Sequence, residues 1–88
     1  MRDLTFRGGS YDDFLSIFTL DKKLFKKLDQ LIKEVRRTPF EGTGKPEALR
    51  GNFSGLWSSR ITGEHRLVYE VREEAIIIVS CKGHYGDK

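Results

Sequence analysis

Apolar and polar positions fall into two regimes along the chain, a helical one in the first half and an extended one after residue 55. Residues 2–6 carry Leu4 and Phe6 on one side of a short strand, and Gly8-Gly9 breaks it. Ser10 then stands as a helix N-cap, with Asp13 in the reciprocal capping position. Tyr11, Phe14, Leu15 and Phe18 follow at spacings of three, four and seven, which predicts one apolar stripe on a helix ending near Thr19. Asp21 is placed to cap a second helix whose stripe is Leu24, Phe25, Leu28, Leu31, Ile32 and Val35. Pro39 ends that helix, because the residue before proline is pushed out of the α region. Two helices with so short a link predict an αα-hairpin lying on a sheet.

Residues 40–55 are punctuated by glycine and proline, with one helical turn expected from Pro46. From Leu56 the residues become β-branched and aromatic. Three strands are expected over Leu56–Ile61, His65–Val71 and Ala75–Lys82, joined by the short links Thr62-Gly63-Glu64 and Arg72-Glu73-Glu74. The predicted class is therefore α+β in the order βααβββ, a mostly antiparallel sheet with two helices packed on one side. At 88 residues the expectation is a single domain over 1–88.

Composition narrows the function. No apolar run approaches the roughly 18 residues of a membrane span, and the N-terminus has no apolar signal segment, so a cytoplasmic protein is expected. One cysteine, Cys81, excludes an internal disulfide and reads as a buried, reduced thiol. Sixteen basic residues face thirteen acidic ones, for a net charge of +3. Seven of the basic residues lie between Lys22 and Arg37, opposed there only by Asp29 and Glu34. Such a stripe tracks phosphates, grips an acidic partner, or is a solvated helix face.

Two histidines and one cysteine lack zinc-ligand spacing, and no phosphate-binding glycine loop or serine-nucleophile motif occurs. What remains is an acid, a base and a cation: Glu47 after Lys45-Pro46, Arg66 beside His65, and His84 with Tyr85 after the last strand. RNA cleavage needs a base for the 2′-OH, a cation for the phosphorane, and an acid for the departing 5′-oxygen. Glu47, Arg66 and His84 match by type. A non-catalytic RNA- or ribosome-binding module and a regulator gripping an acidic peptide remain open on the residues alone.

A longer pattern is more specific. Arg36-Arg37-Thr38-Pro39-Phe40-Glu41-Gly42 with Gly44-Lys45-Pro46-Glu47 resembles the R-x-P-F-x-G-x-G-K-P-E segment of YoeB-type toxins. Leu49 with Ser54-Gly55-Leu56-Trp57-Ser58 resembles L-x-x-x-x-S-G-x-W-S, and Arg60-Ile61-Thr62 with Glu64-His65-Arg66-Leu67-Val68-Tyr69 resembles R-I-T-x-E-H-R-L-V-Y. Cys81-Lys82-Gly83-His84-Tyr85 resembles the C-x-x-H-Y ending. The resemblance spans roughly residues 11–85 and is to the YoeB-type toxins of the RelE/ParE-like superfamily. It implies a RelE-like fold, a ribonuclease that cuts messenger RNA in the ribosomal A site, and a cognate YefM-like antitoxin. It further implies Glu47 as general base, Arg66 as phosphate stabiliser, His84 as general acid and Tyr85 as the aromatic beside the substrate. No metal or cofactor is implied, and the product would be a 2′,3′-cyclic phosphate. Lys22, Lys23, Lys26, Lys27, Lys45 and Arg60 are the expected RNA and ribosome contacts, and a homodimer is a further expectation. The chain departs from the family pattern at Gly8-Gly9, at Ser59 where a second basic residue is common, at Gly63, and in the added Gly86-Asp87-Lys88.

Overall fold

The computed structural model describes residues 1–83. Its elements are β1 (Asp3–Phe6), α1 (Ser10–Leu20), α2 (Lys22–Arg37), β2 (Glu47–Ala48), β3 (Leu56–Arg60), β4 (Arg66–Val71) and β5 (Ala75–Ser80). The strands form one sheet in the order β1-β5-β4-β3-β2. The pairs from β2 to β5 are antiparallel, and β1 joins β5 in parallel. The α+β class and the mostly antiparallel sheet are as expected, but the order is βααββββ rather than βααβββ.

The additional strand replaces the helical turn expected from Pro46. Glu47 pairs with Ser58 and Ala48 with Trp57, while a single 3₁₀ turn forms later, at Gly51–Phe53. Without β2 the outer edge of β3 would present unpaired backbone groups, and these take partners wherever the chain can supply them. Leu49 N donates to Leu56 O at 2.9 Å, and Arg60 N donates to Gly44 O at 2.8 Å. Four successive connections thus cover one edge, and that requirement outweighs proline's preference for a helix start.

α2 forms as its pattern dictates. The Asp21 carboxylate accepts from Leu24 N at 3.0 Å, and Leu24, Leu28, Leu31, Ile32 and Val35 are buried. They pack on Leu67 and Tyr69 of β4 and Ile76 and Ile78 of β5. Period-two alternation in β4 sends Leu67, Tyr69 and Val71 into this core. Arg66, Val68 and Glu70 therefore lie on the sheet's other face. A bulge in β5 resets the alternation: Val68 pairs with Ser80 while Tyr69 pairs with Ile78, leaving Val79 without a direct partner strand residue. Cys81 returns to the core as a result.

α1 is rotated away from the expected stripe. Ser10 is not an N-cap; Gly9 takes that position without a side-chain bond. The Ser10 hydroxyl instead is buried and shares its proton between Arg7 O (2.8 Å) and Ile78 O (3.0 Å). A small residue bonded to a β5 carbonyl brings α1 close to the sheet on the Ser10, Phe14, Ile17 face. Tyr11, Leu15 and Phe18 are consequently exposed. Aromatic contacts run along the rim, with ring centroids 5.4 Å apart for Phe6–Tyr11, 5.1 Å for Phe6–Phe14, 5.3 Å for Phe14–Phe25 and 5.0 Å for Phe18–Phe25.

This orientation is directly testable. Ile17→Ala should destabilise the chain by about 2–5 kcal/mol, the usual cost of emptying an aliphatic core position. Leu15→Gln should stay within about 0.5 kcal/mol of the parent, as exposed substitutions do. Urea unfolding of the two variants checks both, and a reversed ranking would mean that the Tyr11, Leu15, Phe18 stripe faces the core.

Candidate functional site

The face of the sheet turned away from the helices collects the charged residues. In antiparallel pairing, directly opposed residues project to the same side. Glu47 opposes Ser58, Ser58 opposes Val68, and Arg60 opposes Arg66. Glu47, Ser58, Arg60 and Arg66 therefore share one face at one end of the sheet. β2 and β4 are separated by two strand spacings, about 10 Å, so a carboxylate from one and a guanidinium from the other can bracket a group the size of a phosphodiester. Glu47 is exposed and belongs to an edge strand, not to the loop expected from sequence.

Arg60 and Arg66 are opposed without a carboxylate between them. Among the described residues, neither side chain is in an ion pair. Like charges directly across a strand pair are destabilising, by up to about 1 kcal/mol. Glu70, four residues further along β4, shows the contrast: Arg72 and Arg7 bond its carboxylate and hold it below the usual glutamate range. The free guanidinium pair is thus a feature of the Arg66 end of the strand and suits it to an anion.

The segment leading to Glu47 is fastened at three points. Glu34 on α2 takes the Thr43 backbone N–H on one carboxylate oxygen (2.6 Å) and the Thr43 hydroxyl on the other (2.8 Å). A Cβ at Gly42 would lie 1.8 Å from that carboxylate and push the clamp aside, and the φ of +144° there favours glycine. Tyr69 Oη donates to Pro39 O at 2.7 Å, and the Ser59 hydroxyl lies 3.1 Å from the same phenol oxygen. The phenol has one proton, so Ser59 donates to it. Burial raises the Tyr69 pKa above its ordinary value; the Ser59 bond opposes this and the Glu34 charge adds to it. The phenol therefore remains a donor to Pro39. The third point is Gly44, whose approach to Ser59, Leu31 and Arg60 O leaves no room for a side chain. Lys45 follows in the left-handed region, with φ of 51° and its side chain exposed.

The basic helix divides into two rows. Lys23 and Lys27 line a groove with Thr62, Glu64 and His65, and Lys27 also lines a second groove with Glu34, Thr43 and Arg60. Lys22 and Lys26 are exposed one position earlier on each turn. Cys81 is fully buried, and burial pushes its thiol up to about 11, with the Asp13 charge adding to the rise. It is therefore a protonated core residue at neutral pH.

His84 and Tyr85 lie outside the described residues, as does Gly86-Asp87-Lys88. The described chain ends on bonds to β4: Arg66 N donates to Gly83 O at 3.0 Å, and Gly83 N donates to His65 Nδ1 at 2.9 Å. Glu34, Ser58 and His65 were not singled out from sequence. Glu34 was visible only as a charge among lysines. The Ser58 hydroxyl is buried and has no hydrogen-bond partner among the described residues, which only the register reveals.

Residues 6–85 match the family described as YoeB-like toxins of bacterial type II toxin–antitoxin systems. The chain is 55% identical to Toxin YoeB of Escherichia coli strain K12 over 76 residues, covering 86% of this chain and 90% of the relative. Its fold is similar to the YoeB–YefM complex from Staphylococcus aureus, with a TM-score of 0.87, 42% identity and coverage of 97% of this chain and 99% of that one. It is also similar to a YoeB dimer from Staphylococcus aureus, with a TM-score of 0.86, 44% identity and coverage of 96% and 98%.

Removing the Glu34 clamp should loosen the segment that carries Lys45 and Glu47. Glu34→Ala is expected to speed exchange of the Thr43 amide at least about tenfold and to cost about 1–3 kcal/mol, the range for a hydrogen bond to a charged group. Hydrogen exchange by NMR, read beside a thermal melt, is the measurement; an unchanged Thr43 rate would mean that the segment is held without Glu34.

Proposed function

The chain belongs to the YoeB-like toxins of bacterial type II toxin–antitoxin systems, and on that premise we propose that it is a ribosome-dependent endoribonuclease cutting messenger RNA in the A site. The observation carrying this reading is the Arg60–Arg66 pair, opposed without a carboxylate on the same sheet face as Glu47. A phosphodiester seated there would supply the missing negative charge.

The chemistry follows from the groups. Glu47 takes the proton of the ribose 2′-OH. The 2′-oxygen attacks phosphorus, and the bond to the 5′-oxygen breaks. Arg66, with Arg60 across from it, stabilises the charge that grows on the phosphorane. His84 gives its proton to the departing 5′-oxygen. The products are a 2′,3′-cyclic phosphate and a 5′-hydroxyl, with no redox change and no cofactor in any step. Tyr85 stacks beside the substrate. Lys22, Lys23, Lys26, Lys27 and Lys45 contact phosphates of ribosomal RNA or messenger RNA, which places the working protein in the cytoplasm.

Its partner is a YefM-like antitoxin, by analogy with the Staphylococcus aureus complex, and self-association is proposed from the Staphylococcus aureus dimer. Exposed Tyr11, Leu15 and Phe18 offer apolar surface on α1.

Glu47→Gln, Arg66→Ala and His84→Ala should each slow cleavage of messenger RNA on programmed ribosomes by about 10²–10⁴-fold while leaving the fold intact. Mapping the cut ends gives both site and end chemistry. Treating the protein alone with EDTA, and removing the chelator before ribosomes are added, should leave the rate unchanged, because no bound metal enters the steps. If all three variants cut within about threefold of the parent, or if the parent binds ribosomes without cutting, the non-catalytic binding module becomes the better reading.

Ribosome affinity should depend on the helix lysines. A chain with Lys22, Lys23, Lys26 and Lys27 all changed to glutamine should bind more weakly and with a flatter salt dependence, each lost phosphate contact lowering the slope by roughly 0.7–0.9. A salt series of binding constants decides it, and an unchanged slope would make these lysines solvated surface.

A further inference from the structure

We propose that His65 is a positioning residue for the end of the chain: its ring nitrogen holds the Gly83 amide, and through it the backbone entering His84. The proposal rests on the reading of His84 as general acid.

Past Ser80 the regular ladder of β5 stops. Two bonds then fasten Gly83, both to the first residues of the β4 side. Arg66 N donates to Gly83 O at 3.0 Å, and Gly83 N donates to His65 Nδ1 at 2.9 Å. The first bond could form with any residue at 66, because it is made by backbone. The second cannot, because it needs a side-chain acceptor at that reach. Gly83 has φ of +74°, a conformation that side-chain-bearing residues rarely adopt, so both its identity and its partner are specified.

His65 is itself held. Its backbone N–H donates to Thr62 Oγ1 at 3.1 Å, and its carbonyl accepts from Ile61 N (2.9 Å) and Thr62 N (3.1 Å). The hairpin therefore fixes the His65 backbone from which the imidazole reaches Gly83. This clamp joins the strand residue that carries the phosphate-stabilising arginine to the residue immediately before the proton donor. A proton donor must lie within hydrogen-bond reach of the leaving oxygen, and an error of about 1 Å can cost roughly 10²-fold in rate.

The test uses His65→Ala and His65→Asn in the full chain, since the asparagine Oδ1 can accept where Nδ1 did. In His65→Ala the Gly83 amide should lose its protection from exchange. The kcat for messenger RNA on programmed ribosomes should fall about 10–100-fold with KM within about threefold. His65→Asn should restore most of both. Combining His65→Ala with His84→Ala should be no slower than His84→Ala alone, because the two act on one step. The proposal is overturned if Gly83 stays protected in His65→Ala, if protection is lost with kcat within threefold of the parent, or if His65→Asn protects Gly83 without restoring the rate. A His84→Ala chain that cuts at the parent rate would instead overturn the acid assignment on which the proposal rests.

Discussion

The alternation of β4 is the constraint from which the site follows. Leu67 and Tyr69 must face α2, because together with Ile76 and Ile78 they form the floor on which its leucines pack. With a side-chain period of two, that requirement puts Arg66, Val68 and Glu70 on the other face. A slip of one residue would bury a guanidinium and expose a leucine and a tyrosine, so the core enforces the register. The same register carries outward through β3 to β2. Arg60 is set against Arg66 and Glu47 against Ser58. The helices never need to touch the charged face; they determine it by occupying the opposite one.

Tyr69 links this constraint to the segment leading to Glu47 in a second way. Its ring belongs to the core, and its hydroxyl reaches Pro39 at the point where α2 has just ended. Ser59, which stands where the family pattern often has a basic residue, completes the bond by donating to the phenol. Glu34 and Gly42 fasten the next turn, and Gly44 closes against β3. A run of glycines that would otherwise be free in φ and ψ is thereby held from both ends. In a chain of 88 residues, whose core is small, tying this segment to core residues avoids the need for a separate scaffold.

Much of this was legible in the sequence because it depends on local rules. Asp21 as a cap, the α2 stripe, the stop at Pro39 and the three long strands are all set by residues within a few positions of one another. The failures share a cause. β2 forms because β3 has an open edge, which is a property of the sheet and not of Pro46-Glu47. α1 faces inward through Ser10 because Ile78 O lies 68 residues away in sequence, so the larger residues Tyr11, Leu15 and Phe18 lose the inward position. Within the site, residue types singled out Glu47 and Arg66, while the family pattern alone distinguished them from ordinary surface charges. Ser58, Glu34 and His65 were invisible for the opposite reason. Their significance lies in a partner, or in a missing partner, that only the assembled sheet supplies.

The two arginines show where the levels of the structure disagree. In α2 and along the rest of β4 local preference and global packing agree: the cap bonds, the alternation fills the core, and Glu70 finds Arg7 and Arg72. At the Arg60–Arg66 pair the register juxtaposes two cations that no described carboxylate relieves. A sequence shaped only by stability would place opposite charges across that rung, where a favourable pair contributes roughly 0.2–1 kcal/mol. Violations of this kind concentrate where function requires them. The strand pair stays together because Leu67 and Tyr69 hold it from the other face, so the strength of the core is what permits the repulsion. The charged rung is then preorganised. The register sets both arginines on one face before an anion arrives, so the backbone need not move as negative charge develops there.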